Sequence, residues 1–232
     1  MLVLGNSYTA SYGRLIMEHL RPQYSTLHFH AQHACEMIYR TLQENNQYCI
    51  NGDTRFWESI DAVQPDIVLI IQRWLVPNIP IQANVSVDPI FVEMAIKLEK
   101  IEQKVSKVFI LQALPRLKNT QEAIIKRIWQ NKPLDDIMEE VIELDATPMR
   151  TRLIEMAKVC KKCVLFDLYN IHLNKEKKFM VIHPHTHIQF YEQVLHHTQY
   201  GWRLIAPMFE KLNQNFNRLI STNGYPDNVL EW

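Results

Sequence analysis

The strongest constraint on the fold is an alternation. Five short apolar runs, MLVLG (1–5), TLHFH (26–30), DIVLIIQ (66–72), KVFILQA (107–113) and CVLFDL (163–168), are mostly separated by stretches of helical periodicity. The runs lack the strict apolar/polar alternation of a half-exposed strand. They therefore predict buried, parallel strands covered on both faces. The intervening segments supply the cover. Leu15, Ile16, Met17 and Leu20 recur at helical spacing after the first run. Residues 88–105 predict a long helix with Asp88 near its N-cap and Pro89 in its first turn. Residues 122–130 and 134–160 predict further helices, the latter with a break near Pro148. Residues 200–220 predict the last, kinked or split at Pro207. Strands alternating with helices, joined by right-handed crossovers, define an α/β fold. The expectation is a three-layer α/β/α sandwich with a five-stranded parallel sheet, flavodoxin-like, in the order 2-1-3-4-5. Residues 74–89 carry three prolines and read as a loop inside one domain spanning residues 1–232.

Composition narrows the partners. Lys and Arg total 25, as do Asp and Glu, so no net charge attracts a polyanion and nucleic acid is not an expected partner. The longest apolar runs, such as IVLII at 67–71, are far too short to span a bilayer, and no basic leader precedes the first run. Cys35 and Cys49 could pair across a loop. Cys160 and Cys163 form a C-x-x-C that fits zinc less well than buried thiols or a structural disulfide, because no second pair accompanies it.

Ligands of such sheets bind at the carboxyl ends of the strands. Here those ends are residues 5–8, 30–35, 72–74, 113–116 and 167–170. At the first, the sequence VLGNSYTA puts Ser7 directly between a buried strand and a helix. Gly5 permits a tight turn. Backbone N–H groups at the helix N-terminus could hold an oxyanion beside Ser7. Alternatively, Ser7 or Thr9 simply caps the helix. A serine nucleophile needs a base. Histidines crowd one late segment, at His183, His185, His187, His196 and His197. In an extended segment the first three would share a face, which suits a metal, although no carboxylate or cysteine set accompanies them and a surface loop is the better reading. His196 precedes an amphipathic helix, on a loop able to return to Ser7.

Taken together, these blocks resemble the SGNH-hydrolase superfamily, and within it the domain fused to acyltransferase-3-type membrane proteins, particularly their nematode branch. VLGNSYTA resembles that family's strand followed by Gly-Asp-Ser-His, with Asn6 and Tyr8 in place of Asp and His. QPDIVLIIQRW resembles its central strand, KVFILQALPRL the next, and YEQVLHHTQYGWRLIAPMF its closing block, where an acid leads to His-Leu-Thr and then Gly. The resemblance implies Ser7 as nucleophile, its backbone N–H as an oxyanion donor and His196 as general base. The family's acid position falls on Gln193, which carries no charge. Glu192, one residue back, is the substitute, with Asp167 as fallback. The glycine expected after the second strand is absent from HAQHAC, where Ala34 stands. The asparagine expected after the third strand gives way to Gln72, Arg73 and Trp74, so Arg73 is available to an oxyanion or to a surface carboxylate. Gly5, Asn6 and Arg73 complete the expected substrate-binding set. The implied chemistry is serine-dependent O-acyl transfer or ester hydrolysis, without metal or cofactor. It would act on an acyl donor and a hydroxyl acceptor such as a carbohydrate, on the extracytoplasmic or lumenal side of a membrane, within a parent chain carrying a membrane acyltransferase domain. The departures leave a catalytically degenerate binding module as the alternative.

Overall fold

The computed structural model describes residues 1–39, 46–134, 137–192 and 196–232, with Met138 and Glu139 through their backbone only. The chain runs β1 (Leu2–Gly5), α1 (Ser7–His19), β2 (His28–Ala31), α2 (Gln47–Val63), β3 (Ile67–Ile71), α3 (Pro89–Glu102), β4 (Lys107–Leu111), β5 (Arg116–Leu117), α4 (Thr120–Trp129), α5 (Ile137–Val141), β6 (Ile142–Leu144), α6 (Thr147–Val159), β7 (Cys163–Phe166), α7 (Gln199–Ser221) and β8 (Val229–Leu230). The main sheet has the order β2-β1-β3-β4-β7-β8, and all its pairings are parallel. The five expected strands thus lie in the expected order, 2-1-3-4-5. A sixth, β8, joins the edge at β7, too short to register as an apolar run. Asn228 anchors it, donating to the carbonyls of Ala157 and Cys163 at 2.8 and 2.9 Å.

Every residue of β1, β3, β4 and β7 is buried, as continuous apolar runs require. The second run departs from this: β2 is the opposite edge and is largely exposed. On one face the sheet packs against α1, α7 and the α4–α5 segment, with Phe109 stacked on Phe216 at 5.1 Å between centroids. On the other it packs against α2, α3 and α6. Asp88 caps α3 by accepting from the Phe91 N–H at 3.1 Å, and the buried Arg152 of α6 grips the same carboxylate at 2.7 and 2.8 Å. This charge-assisted pair locks the prolyl loop between β3 and α3 to α6.

Three helical details refine the expectation. The sequence analysis predicted no helix over α2, whose apolar stripe is thin. The expected break near Pro148 falls just before it, over residues 142–146. Residues 142–144 pair antiparallel with β5, and Pro148 sits in the first turn of α6, where its missing N–H is harmless. The last helix runs unbroken through Pro207.

Candidate functional site

At the end of β1 the backbone has one solution. Gly5 adopts φ +150°, and a Cβ there would lie 2.1 Å from the Ile71 carbonyl oxygen, so only glycine lets β1 and β3 approach. Asn6 then joins the two strand ends. Its Nδ2 donates to the Arg73 carbonyl at 2.7 Å, and its Oδ1 accepts from the Arg73 N–H at 2.8 Å and the Tyr8 N–H at 3.3 Å. The last bond makes Asn6 the cap of α1. Thr9 donates its hydroxyl to the Ile71 carbonyl at 2.7 Å. Structural duties at this turn therefore fall on Asn6 and Thr9. Ser7, half-buried at the first position of α1, has no side-chain hydrogen bond among the described residues. The capping role open to Ser7 and Thr9 in the sequence belongs to neither.

His196 reaches this turn from the loop before α7. Its ring lies 5.9 Å from that of Tyr8, the neighbour of Ser7. Its Nε2 is buried and without a hydrogen-bond partner among the described residues. Burial, followed by the nearby Arg73 guanidinium, holds the imidazole below its ordinary pKa, with His33 adding to the effect and Glu192 opposing it. The imidazole is thus neutral and able to accept a proton at pH 7. The electrostatic neighbours show which loops converge: Arg73 from the end of β3, His33 from the loop after β2, and His196 itself.

The carboxylates named for the acid role stand as follows. Glu192 is exposed, and its side chain makes no hydrogen bond or ion pair with His196 among the described residues. Its contact with that residue is a backbone bond, Glu192 N–H to the His196 carbonyl at 2.7 Å. Asp167 is buried in a bidentate pair with Arg150 at 2.9 and 2.6 Å, which removes it from reach as an orienting acid. Gln193 lies outside the described residues.

The oxyanion candidates lie at the loops after β2 and β3. Ala34 takes φ 54°, the left-handed conformation suited to glycine. The adjacent Cys35 is bonded to Cys49, with Cα atoms 5.4 Å apart, which ties the loop to α2. Gln72 is structural, its Oε1 accepting from the Met37 N–H at 2.9 Å, and Trp74 donates to the Leu111 carbonyl at 3.2 Å. Arg73 sits within electrostatic reach of Tyr8, Arg116 and Glu36. The carboxyl near it is thus a buried one. Burial pushes Glu36 up to about 8, against a hydrogen bond from the Leu75 N–H and the pull of Arg73. Glu36 is then mostly protonated at pH 7, and nothing in the local sequence singles it out.

Behind the site lies a second arrangement that the sequence reading missed. Tyr12 Oη and His197 Nδ1 are 2.7 Å apart, His197 Nε2 and His172 Nε2 3.0 Å, and Tyr191 Oη and His172 Nε2 3.1 Å, all buried. Burial drives both imidazoles down, His197 well below its ordinary value and His172 to about 3, so the chain is uncharged at neutral pH. His197 occupies the leucine position of the resembled block. That substitution was the available signal.

The remaining histidines and cysteines are resolved simply. Residues 183–187 form a turn in which His183 Nδ1 accepts from the N–H groups of His185 and Thr186, and His187 takes φ 54°, so no common imidazole face forms. Cys160 and Cys163 are bonded to each other. Glu102 stands beside them, and this is the one grouping of potential metal ligands among the described residues.

A parallel sheet with a serine at its first turn and a histidine entering its last helix defines an SGNH-type domain. The family described as "SGNH domain (fused to AT3 domains)" matches residues 1–211, and the chain belongs to it. No curated protein matches the chain. Among the described residues, no helix is long and apolar enough to cross a membrane.

Proposed function

We propose that the chain is a serine-dependent acyltransferase or esterase domain in which Ser7 is the nucleophile and His196 the base. One observation carries this reading. At a turn where every other side chain is committed to structure, Ser7 alone has no structural hydrogen bond, and the imidazole beside that turn presents a buried, unpartnered Nε2. In the reaction, His196 Nε2 takes the Ser7 Oγ proton as Oγ attacks the acyl carbonyl. The α1 N-terminus and Arg73 stabilise the oxyanion. Return of the proton expels the leaving oxygen and yields an acyl-serine. A hydroxyl acceptor or water, deprotonated by the same imidazole, then resolves it.

Family fusion to AT3 domains supports one SGNH domain, residues 1–232, that works beside a membrane acyltransferase domain of the same parent chain. In that setting the acceptor is a carbohydrate or glycoconjugate hydroxyl on the extracytoplasmic or lumenal side. The two disulfides fit that compartment.

The absence of a carboxylate bond to His196 among the described residues favours a second reading, a degenerate SGNH module that binds without turnover. Labelling with a fluorophosphonate separates the two. The catalytic reading expects native protein to label and both Ser7→Ala and His196→Ala to lose the label. Label surviving Ser7→Ala, or a folded native protein that never labels, overturns it.

A further inference from the structure

One modification motif lies outside the candidate site. Asn84-Val85-Ser86 is the single Asn-x-Ser/Thr tripeptide of the sequence, and its middle residue is not proline. Such a tripeptide accepts N-linked sugar in chains that enter a eukaryotic secretory lumen, provided that it lies on the surface. The pattern is short, so its surroundings decide whether a sugar fits.

Asn84 and Ser86 stand exposed on the loop between β3 and α3, while Val85 between them packs against the core. Ser86 Oγ donates to Asn84 Oδ1 at 2.5 Å, and the Val87 N–H donates to the same oxygen at 3.3 Å. Both bonds fall on the oxygen. Asn84 Nδ2, the atom that a sugar would join, makes no hydrogen bond among the described residues. Asn6 and Asn228, by contrast, spend their Nδ2 groups on backbone carbonyls at the strand ends and in the core.

The loop beneath is pinned on both sides of the tripeptide. Before it, Arg152 of α6 donates to the carbonyls of Ile79 and Pro80 at 2.8 and 3.1 Å. After it, the same guanidinium holds Asp88, whose carboxylate also accepts from the Gln82 N–H at 3.2 Å. A sugar on Nδ2 would therefore extend into solvent from a fixed base and displace no buried contact.

We infer that Asn84 carries an N-linked glycan when the domain is made in a eukaryotic secretory lumen. The donor is a lipid-diphosphate-linked oligosaccharide, and a transferase of that membrane supplies the base. The Nδ2 nitrogen attacks the anomeric carbon of the first sugar. An N–C bond forms as the bond from that carbon to the diphosphate oxygen breaks. The nitrogen gives one proton to the base, and the lipid diphosphate leaves with the electron pair. This inference rests on the proposed lumenal setting of the domain, which the two disulfides also fit.

The test is expression of the 232-residue chain in eukaryotic cells behind a cleavable signal peptide, with whole lysate and medium examined together. Native protein should gain the mass of one oligosaccharide, peptide N-glycosidase should remove it, and peptide mapping should place it on Asn84. Asn84→Gln and Ser86→Ala should each lose the gain, and Ser86→Thr should keep it. Native protein whose leader is removed but which gains no sugar overturns the inference. So does a gain that survives Asn84→Gln or Ser86→Ala. Because the leader fixes the compartment, a missing glycan counts against Asn84 and not against the membrane-side reading. Fluorophosphonate labelling of the same samples reports on Ser7 separately.

Discussion

The side chain of Asn6 and the backbone of Arg73 exchange two hydrogen bonds, 2.7 and 2.8 Å long, across the ends of the first and third strands. One group donates and the other accepts, which only an amide at residue 6 can do without protonation. Asn6→Asp would restore the residue usual in the resembled motif, yet turn a carboxylate toward the Arg73 carbonyl. It should cost about 1–3 kcal/mol of stability and lower the labelling rate of Ser7. Urea denaturation of native protein and the Asn6→Asp variant in parallel checks this. An Asp variant as stable as native would show that the strand ends tolerate loss of the donor.

The pH profile separates the roles of Arg73 and Glu192. The acid limb of kcat/KM follows the free base, so in native protein it should lie below that of an ordinary histidine. Arg73 depresses the His196 pKa, so Arg73→Met should move the limb to higher pH. Glu192 raises it, so Glu192→Gln should move the limb to lower pH. The Glu192 variant should lose less than about tenfold in rate, whereas loss of a true orienting acid costs on the order of 10⁴. A loss of that larger size would make Glu192 the third member of a triad.

Glu36 makes stability fall as pH rises. Its folded pKa of about 8 stands above its ordinary value of 4.5, so between those limits the native state holds a proton that the unfolded state releases. The contribution is fully present below about pH 4.5 and is lost as pH climbs through 8. Glu36→Gln keeps the shape and the acceptor oxygen without the charge. Thermal melts should show the variant more stable than native at pH 8.5 and little different at pH 4.5. Parallel native and variant curves would place the proton elsewhere.

Ala34 carries left-handed backbone at φ 54°. Glycine accepts this conformation freely but gains entropy when unfolded. The two effects leave Ala34→Gly stabilised by about 0.5–1 kcal/mol. Its labelling rate should match or exceed that of native protein. A destabilised variant would mean that the methyl group packs usefully in the loop.

How much was legible follows from which signals are local. Central strands announce themselves through unbroken apolar runs, so their identity and order could be read from Leu2–Gly5, Ile67–Ile71 and Lys107–Leu111. Strand β8 could not, because two residues form it and the side-chain amide of Asn228 supplies the anchoring. Ser7 and His196 stood out as candidates because one follows β1 at the start of α1 and the other lies in the loop before α7. The carboxylate was not, since whether Glu192 or Asp167 meets the imidazole depends on long-range partners, and Arg150 takes the latter. Glu36 and the His197 chain were invisible for the same reason: a buried acid or imidazole looks in sequence like any other.

At the first turn, folding rests on Gly5, Asn6 and Thr9, and the proposed chemistry rests on a neighbour that folding does not use. Ser7→Ala should therefore leave the melting temperature nearly untouched. If Ser7 is the nucleophile, a lineage carrying this turn can discard it, persist as a binding protein and recover the serine later by a single substitution, with no stability barrier to cross in either direction. Activity in such a domain is a reversible character, separable from descent of the scaffold.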